Sequence, residues 1–472
     1  MGRTGRTTRR HQVGLGGVAA VLASLAACTS GGGTSSAAGG PPAATAGGAT
    51  AQPAPSATLG ADATLVRVKS GPAPGIRRGQ QAEGTDLVAG PAGFVALGYQ
   101  RATSTGAGYA RHMWWSQDGG SWQDVPLDRA VFGPQDTLKS LLAAGPGYVI
   151  AGTAGGRAVS WSSADGRHWQ RHPLPSGSLP RDTTTGATGL FDVGGGLLVV
   201  PAVQEVQPAG AVTPTSSSLR MWTSADGVSW KAAPVAALPA KVTGSPVVVN
   251  HVVRFHGQLV ALAVTLRQQP QDTTSQLLLT SDDGAAWTVQ RAAFPDSETI
   301  DVDTLAVYGD HLLAFGKLQQ GRYPLQPPAE WTSTDGLTWQ KVLLDTSAFG
   351  GTGTAYNVFD VVPVRGQLLA WGWRLTPLPK KNKAWPDLYD EDVALWRSSD
   401  GTHWQRLPSG PDLTGPGQQR VDAVAVAGDR VLALGTVSAP YPPPQRKTTG
   451  YGQAYYDSAT PDGGIALWEL GR

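Results

Sequence analysis

Two kinds of residue in this sequence are placed where chemistry could be done: a lone cysteine near the start, and carboxylates repeated at fixed spacing. Cys28 is the single thiol in 472 residues, so no disulfide within the chain is possible. Its sulfur can act only as a nucleophile or as a point of covalent attachment. The carboxylates stand in the phrase Ser-x-Asp-Gly-x-x-Trp, which occurs six times. It places Asp118, Asp165, Asp226, Asp283, Asp335 and Asp400 four residues ahead of Trp122, Trp169, Trp230, Trp287, Trp339 and Trp404. An acidic run, Asp387, Asp390, Glu391 and Asp392, could supply oxygen ligands to calcium, although the spacing is not that of an EF-hand loop. His168 and His172 are four apart in an expected strand, where alternation puts both on one face without a third ligand for zinc. The sequence holds no HExxH, no GxSxG and no Walker A loop.

The neighbourhood of Cys28 gives its thiol a use. Residues 1–12 are basic, with Arg3, Arg6, Arg9 and Arg10, and 13–27 form an apolar run too short to span a bilayer comfortably. The run ends in Leu25-Ala26-Ala27-Cys28, which resembles the lipobox of bacterial lipoproteins. That resemblance implies a signal peptide over 1–27, a diacylglycerol on the Cys28 sulfur, and a protein held on the extracytoplasmic face of the cell membrane. Lipoprotein processing supplies the additional acyl chain that stable anchoring requires. Arg9-Arg10 can be read as a twin-arginine export signal, but His11-Gln12-Val13 departs from that pattern, so the Sec route stays open as well. Residues 28–61 are Gly, Ser, Ala, Thr and Pro with hardly a large apolar side chain. Such a segment cannot offset its chain entropy by burial and is expected to be a disordered tether. Its typical reach is roughly 30 Å.

What must position the repeated carboxylates is a sheet architecture. Each phrase reads as strand, tight turn and strand, because Asp accepts backbone N–H groups and Gly takes positive φ. A second Trp precedes the Ser by two residues in five copies (Trp114, Trp161, Trp222, Trp331 and Trp396), and Leu279 replaces it in the fourth. Upstream of each phrase lie two short apolar runs around Gly, at 85–100, 138–154, 187–203, 249–265, 302–318 and 358–374. A seventh such pair at 420–437 is followed by Ile465-Ala466-Leu467-Trp468 and then by the last residues given. The unit is therefore four strands, A to D, and the expected fold is an all-β, seven-bladed β-propeller over 62–472. The seventh unit has no strand D of its own. Leu65-Val66-Arg67-Val68, ahead of the first unit, is expected to supply it and close the ring.

The repeated phrase is similar to the Asp-box of bacterial sialidases and related propellers, Ser-x-Asp-x-Gly-x-x-Trp, though one residue shorter between Asp and Trp. The resemblance implies that the six Asp residues are structural and stand on the C–D turn, on the face opposite an active site. Sialidases of this type also carry an Arg-Ile-Pro motif, which is absent here, and Arg77-Arg78 do not replace it. None of their three arginines, their Tyr–Glu pair or their acid/base Asp can be matched by position.

A site is expected instead on the face carrying the long B–C connections, since successive Asp residues of the phrase are separated by 47, 61, 57, 52 and 65 positions. The insertion at 376–393 holds Trp385 and Tyr389, and that at 438–464 holds Tyr441, Tyr451, Tyr455 and Tyr456. Aromatic side chains among carboxylates suit stacking on a sugar or a protein hot spot. Formal net charge is +2, and without the four leader arginines the remainder is slightly acidic, so no basic stripe marks a nucleic-acid partner. The sequence thus predicts a monomeric, non-catalytic binding or scaffold module for an envelope protein or glycan, with no cofactor and no metal. The alternative is a sialidase-like exo-glycoside hydrolase. It would require paired carboxylates or a Tyr–Glu pair at the mouth of the central channel.

Overall fold

The computed structural model describes residues 59–68, 82–101, 109–145, 147–175, 183–187, 189–194, 196–206, 216–236, 247–265, 276–291, 294–295, 300–318, 328–349, 355–377, 389–438, 445–448, 454–457 and 463–471. Cys28, the leader and residues 28–58 of the expected tether lie outside them, as do Trp385, Tyr441 and Tyr451.

The chain is built almost wholly of antiparallel strands in successive four-stranded sheets, the arrangement of a β-propeller. In the first sheet Ala82–Gly90, Gly93–Arg101, Tyr109–Ser116 and Gln123–Asp124 pair in chain order. The same A-B-C-D order recurs through the sixth sheet, whose A, B, C and D strands are Ala355–Val364, Gln367–Pro377, Tyr389–Ser398 and Trp404–Arg406. In the third sheet the first strand is split into Thr183–Ala187 and Phe191–Asp192. Gln418–Ala427, Arg430–Ser438 and Gly463–Leu470 make strands A to C of the last sheet. Leu65–Arg67 lies antiparallel to Gly463–Leu470, with Leu65 opposite Leu470 and Arg67 opposite Trp468. Val68 N–H to the Leu467 carbonyl (2.8 Å) and Gly471 N–H to the Thr64 carbonyl (2.9 Å) extend the pairing at both ends.

Packing explains why tryptophan recurs. Alternation along each C strand turns Trp114, Trp161, Trp222, Trp331, Trp396 and Trp468 into the space between sheets, where all are buried, and Leu279 fills the same place in the fourth. Among the described residues seven apolar clusters form, each shared by two consecutive sheets. One joins the last sheet to the first through Leu87, Phe94, Trp114, Leu432, Leu434 and Leu467. The A strands of neighbouring sheets also touch one another, Ala82–Gly90 meeting both Thr137–Ala144 and Gln418–Ala427.

The Ser-x-Asp-Gly turns join strands C and D. Asp226 shows how the carboxylate is spent: its Oδ1 accepts the Val228 N–H (2.8 Å), the Ser229 N–H (2.7 Å) and the Ser224 hydroxyl (2.9 Å). Ser224 Oγ accepts the Gly227 N–H at 2.9 Å, and Trp230 Nε1 donates to the Gly227 carbonyl at 3.2 Å. The glycine is required because φ lies between +73° and +81° at all six copies, a region L side chains rarely adopt. These bonds, the Ser229 N–H foremost, hold the Asp226 carboxyl well below the usual carboxylate range. Like a helix cap, the interaction is worth about 1 kcal/mol. Asp226→Ala is expected to lower Tm by a degree or two at pH 7. The deficit should shrink as pH falls toward 2, where the wild-type carboxyl loses its charge.

Candidate active site at the channel mouth

Each A strand runs from the end of its sheet where the B–C connections leave toward the A–B turn. The Asp-Gly turns share the A–B end, so residues early on A, late on B or early on C lie at the opposite end. There the first, sixth and seventh sheets bring charged groups together. Glu83 and Tyr99 are cross-strand partners in the first sheet, and the Tyr99 hydroxyl donates to Glu83 Oε2. Arg420, on the A strand of the last sheet, donates through Nη2 to the same oxygen at 3.1 Å and through Nε to Asp422 Oδ1. Thr436, opposite Arg420, donates to Asp422 Oδ2 at 3.1 Å. Glu391, early on the C strand of the sixth sheet, faces the group and pairs with Gln418.

A backbone irregularity aims Asp422. The A strands of the first, second and fourth to seventh sheets slip register at one point, and the extra residue is Thr85, Lys139, Asn250, Asp303, Phe359 or Asp422. In the sixth sheet that residue, Phe359, packs edge-on against Trp373 with ring centroids 6.0 Å apart. Trp373 and Glu391 lie on one face of the sheet, because Trp373 is opposite Val393 and Leu375 is opposite Glu391. A half-buried aromatic pair thus shares this sheet face with Glu391.

The electrostatics follow from crowding three carboxyls, those of Asp422, Glu83 and Glu391, around one guanidinium. Burial pushes Asp422 up to about 6 in spite of Arg420 and Thr436, and pushes Asp86, on the neighbouring A strand, up to about 7. Burial raises Glu391 also, with Asp422, Glu83 and Asp390 adding to the rise. Arg420 is held above its ordinary value, first by Asp422. Burial and then the bond to Glu83 raise the Tyr99 phenol, so it keeps its proton at rest. The side chains of Glu83, Asp422 and Arg420 are 18, 10 and 27% exposed, so the cluster is held in place yet reachable.

Asp86 gives a measurable consequence. Its carboxyl retains a proton to about pH 7 when folded but loses it near pH 4 when unfolded. The folded state therefore binds more protons between those limits, and stability falls as pH rises through them. Asp86→Asn should remove that fall, leaving the variant more stable than wild type at pH 8 by a few kcal/mol and little changed at pH 4. Urea midpoints at the two pH values test it.

The sequence-predicted residues are distributed differently. Asp118, Asp165, Asp226, Asp283, Asp335 and Asp400 lie at the far end of the sheets. The backbone of Tyr389 opens strand C of the sixth sheet, opposite Pro377. Tyr455 and Tyr456 belong to a hairpin, Gln445–Thr448 with Ala454–Asp457, within what the sequence suggests is a loop. Of the acidic run, Asp387 lies outside the described residues and the rest is strand: the Asp390 side chain accepts the Gly417 N–H at 2.8 Å, and Asp392 faces Arg374 at 3.9 Å. Among the described residues no group of three or more His, Cys, Asp or Glu is arranged for a metal ion. His168 and His172 do not share a strand face. His168 stands in the turn, 2.7 Å from Asp165, and His172 bonds Ser162 at 2.8 Å.

No family model matches the chain, and neither does any curated protein sequence. Among solved structures, it is similar to Penicillium chrysogenum α-L-arabinanase complexed with arabinobiose, at 12% identity and TM-score 0.38, covering 86% of this chain and 97% of that one. It is similar to Trypanosoma rangeli sialidase in complex with the inhibitor DANA, at 13% identity and TM-score 0.36, covering 86% and 58%. It is similar also to Pyrococcus horikoshii acylaminoacyl peptidase, at 9% identity and TM-score 0.43, covering 76% and 50%. At such scores these likenesses assign no reaction.

The expectation of a non-catalytic binding or scaffold module is nevertheless corrected. It rested on the anchor, the tether, the loop-rich face and the missing catalytic signature, and Tyr99 is bonded to Glu83 beside a second part-buried carboxylate on the expected face. Glycoside hydrolases stand among the similar structures.

Proposed function

We propose that the protein is a glycoside hydrolase whose active site is the Glu83–Tyr99–Arg420–Asp422 cluster. The observation that carries this reading is the Tyr99–Glu83 bond, with Asp422 clasped to the same guanidinium as Glu83. One guanidinium spans the two carboxylates, and about 5 Å is the separation at which two carboxyls serve retaining hydrolysis. Asp422, protonated below about pH 6, donates to the leaving oxygen. The Tyr99 oxygen attacks the anomeric carbon as its proton passes to Glu83, and the phenol's raised pKa ties the two events together. Water, deprotonated by Asp422, then attacks the same carbon, and Glu83 returns the proton to Tyr99. Phe359 and Trp373 offer an apolar edge to a sugar ring. Arg420 is already bonded to two carboxylates, so a carboxylate sugar would meet no uncommitted cation in the cluster. The sugar it takes is therefore neutral or carries an amine.

The reading includes a closed seven-bladed ring, supported by the pairing of Leu65–Arg67 with Gly463–Leu470 and by the apolar cluster joining first and last sheets. It also includes a lipid anchor at Cys28 and an extracytoplasmic site, supported by the leader sequence.

Aryl glycosides of neutral sugars, amino sugars and sialic acid test the proposal. Cleavage of a neutral or amino glycoside is expected, with kcat/KM falling as pH rises through about 6 because Asp422 loses its proton. Cleavage of the sialoside alone would overturn the substrate class. Cleavage of none would overturn the enzyme.

A further inference from the structure

The channel is furnished at its other end too. A cavity of about 350 Å³ lies between the A strands of the third to sixth sheets. It opens beside Gly194 and Gly257, on the face of the Asp-Gly turns, and Phe191, Val193, Leu305 and Val307 make much of its wall. Of the polar side chains in the lining (Asp192, His251, Arg254, His256 and Asp360), two are buried. His251 and Asp360 occupy the same position, just after the register slip, in the fourth and sixth sheets. They are only 4 and 5% exposed.

Among the described residues His251 Nε2 lacks a hydrogen-bond partner and Asp360 lacks a counter-ion. The His251 ring is tilted against Phe191 with centroids 6.2 Å apart. Asp360 Oδ1 accepts the Thr304 hydroxyl (2.9 Å) and the Val361 N–H (2.8 Å). Arg254, at the rim, is committed to the Val193 and Gly257 carbonyls at 3.0 Å each. Burial raises the Asp360 carboxyl to about 7, so above that pH it is a buried anion without a counter-ion. It and the buried nitrogen without a partner then each cost free energy that a bound species could recover. Water can bond the imidazole but brings no positive charge to the carboxyl.

We infer that this cavity is a binding site for a small organic ammonium ion with an apolar body. The ammonium donates to Asp360, the body lies against Phe191, Leu305 and Val307, and His251 Nε2 accepts a second N–H or O–H of the same molecule or of a water it carries. The site is at the opposite end of the channel from Glu83 and does not depend on the hydrolytic reading.

Benzylammonium, benzyl alcohol and benzoate, titrated into the full chain, separate charge from shape. Benzylammonium is expected to bind saturably and, at a hundred times its Kd, to raise Tm by about 3 °C. The alcohol and the acid should leave Tm unchanged. Asp360→Asn should weaken benzylammonium binding at least tenfold, and the His251 imidazole proton signal should move as wild type is saturated. Equal binding of benzyl alcohol, no saturable binding, or unchanged affinity in Asp360→Asn would overturn the inference. If Asp360→Asn does not fold, an unmoved His251 signal, identified by its loss in His251→Phe, overturns it alone.

Discussion

Glu83→Gln is expected to lower kcat on any glycoside the wild type cleaves by about 10²- to 10⁴-fold, the usual size of a lost general base. The amide cannot take the Tyr99 proton, though it can still pair with Arg420 and keep the cluster assembled. Tyr99→Phe should cost a similar factor, and the double variant little more than either single one, because the two side chains act as one unit. Asp422→Asn should behave differently. Its loss should be large on alkyl glycosides, whose leaving oxygen needs a proton, and small on nitrophenyl glycosides, whose leaving group does not. The fall in rate above about pH 6 should disappear with it. If the cluster only ties the first, sixth and seventh sheets together, all three variants will lower Tm while kcat per folded molecule stays put. That result would sink the catalytic assignment.

The sheets were legible in the sequence because their signals are local. Asp-Gly between alternating apolar residues fixes a turn wherever it occurs, and six copies set the strand order on either side. The placement of Leu65–Arg67 followed from counting strands, since the seventh unit runs out before strand D. The cluster was not legible, because its members are distant and unremarkable one by one. Arg420 and Glu83 meet across 337 positions. Asp422 sits inside a run whose apolar alternation marks it only as strand, and the register slip that aims it leaves no sequence signature. One signal was available: a charged residue interrupts the apolar A strand at Asp86, Asp303, Asp360 and Asp422, and a residue of a blade's innermost strand can reach the channel. The aromatic insertions drew attention instead, and Tyr389, Tyr455 and Tyr456 proved to lie on strands.

Removing residues 1–68 should lower Tm by about 10 °C and make the protein associate. The segment 59–68 buries Leu59, Ala63 and Leu65 in the cluster between the sixth and seventh sheets. Losing two such leucines from a packed core costs roughly 5 to 8 kcal/mol. The Leu59 carbonyl also accepts a bond from Arg397, so the loss reaches strand C of the sixth sheet. Without Leu65–Arg67 the strand Gly463–Leu470 becomes an edge with unpaired N–H and C=O groups, open to another copy. A synthetic 59–68 peptide should reverse both effects by adding back as a strand, whereas the same peptide with Leu65→Asp should not. An unchanged Tm and a monomeric truncated protein would mean that the ring closes without this strand. If the strand is needed, the segment next to the expected tether is also the last piece of the fold, so tension on an anchor at Cys28 would load the Leu65–Arg67 pairing first. The three residue pairs and the two backbone hydrogen bonds that flank them would then bear that load.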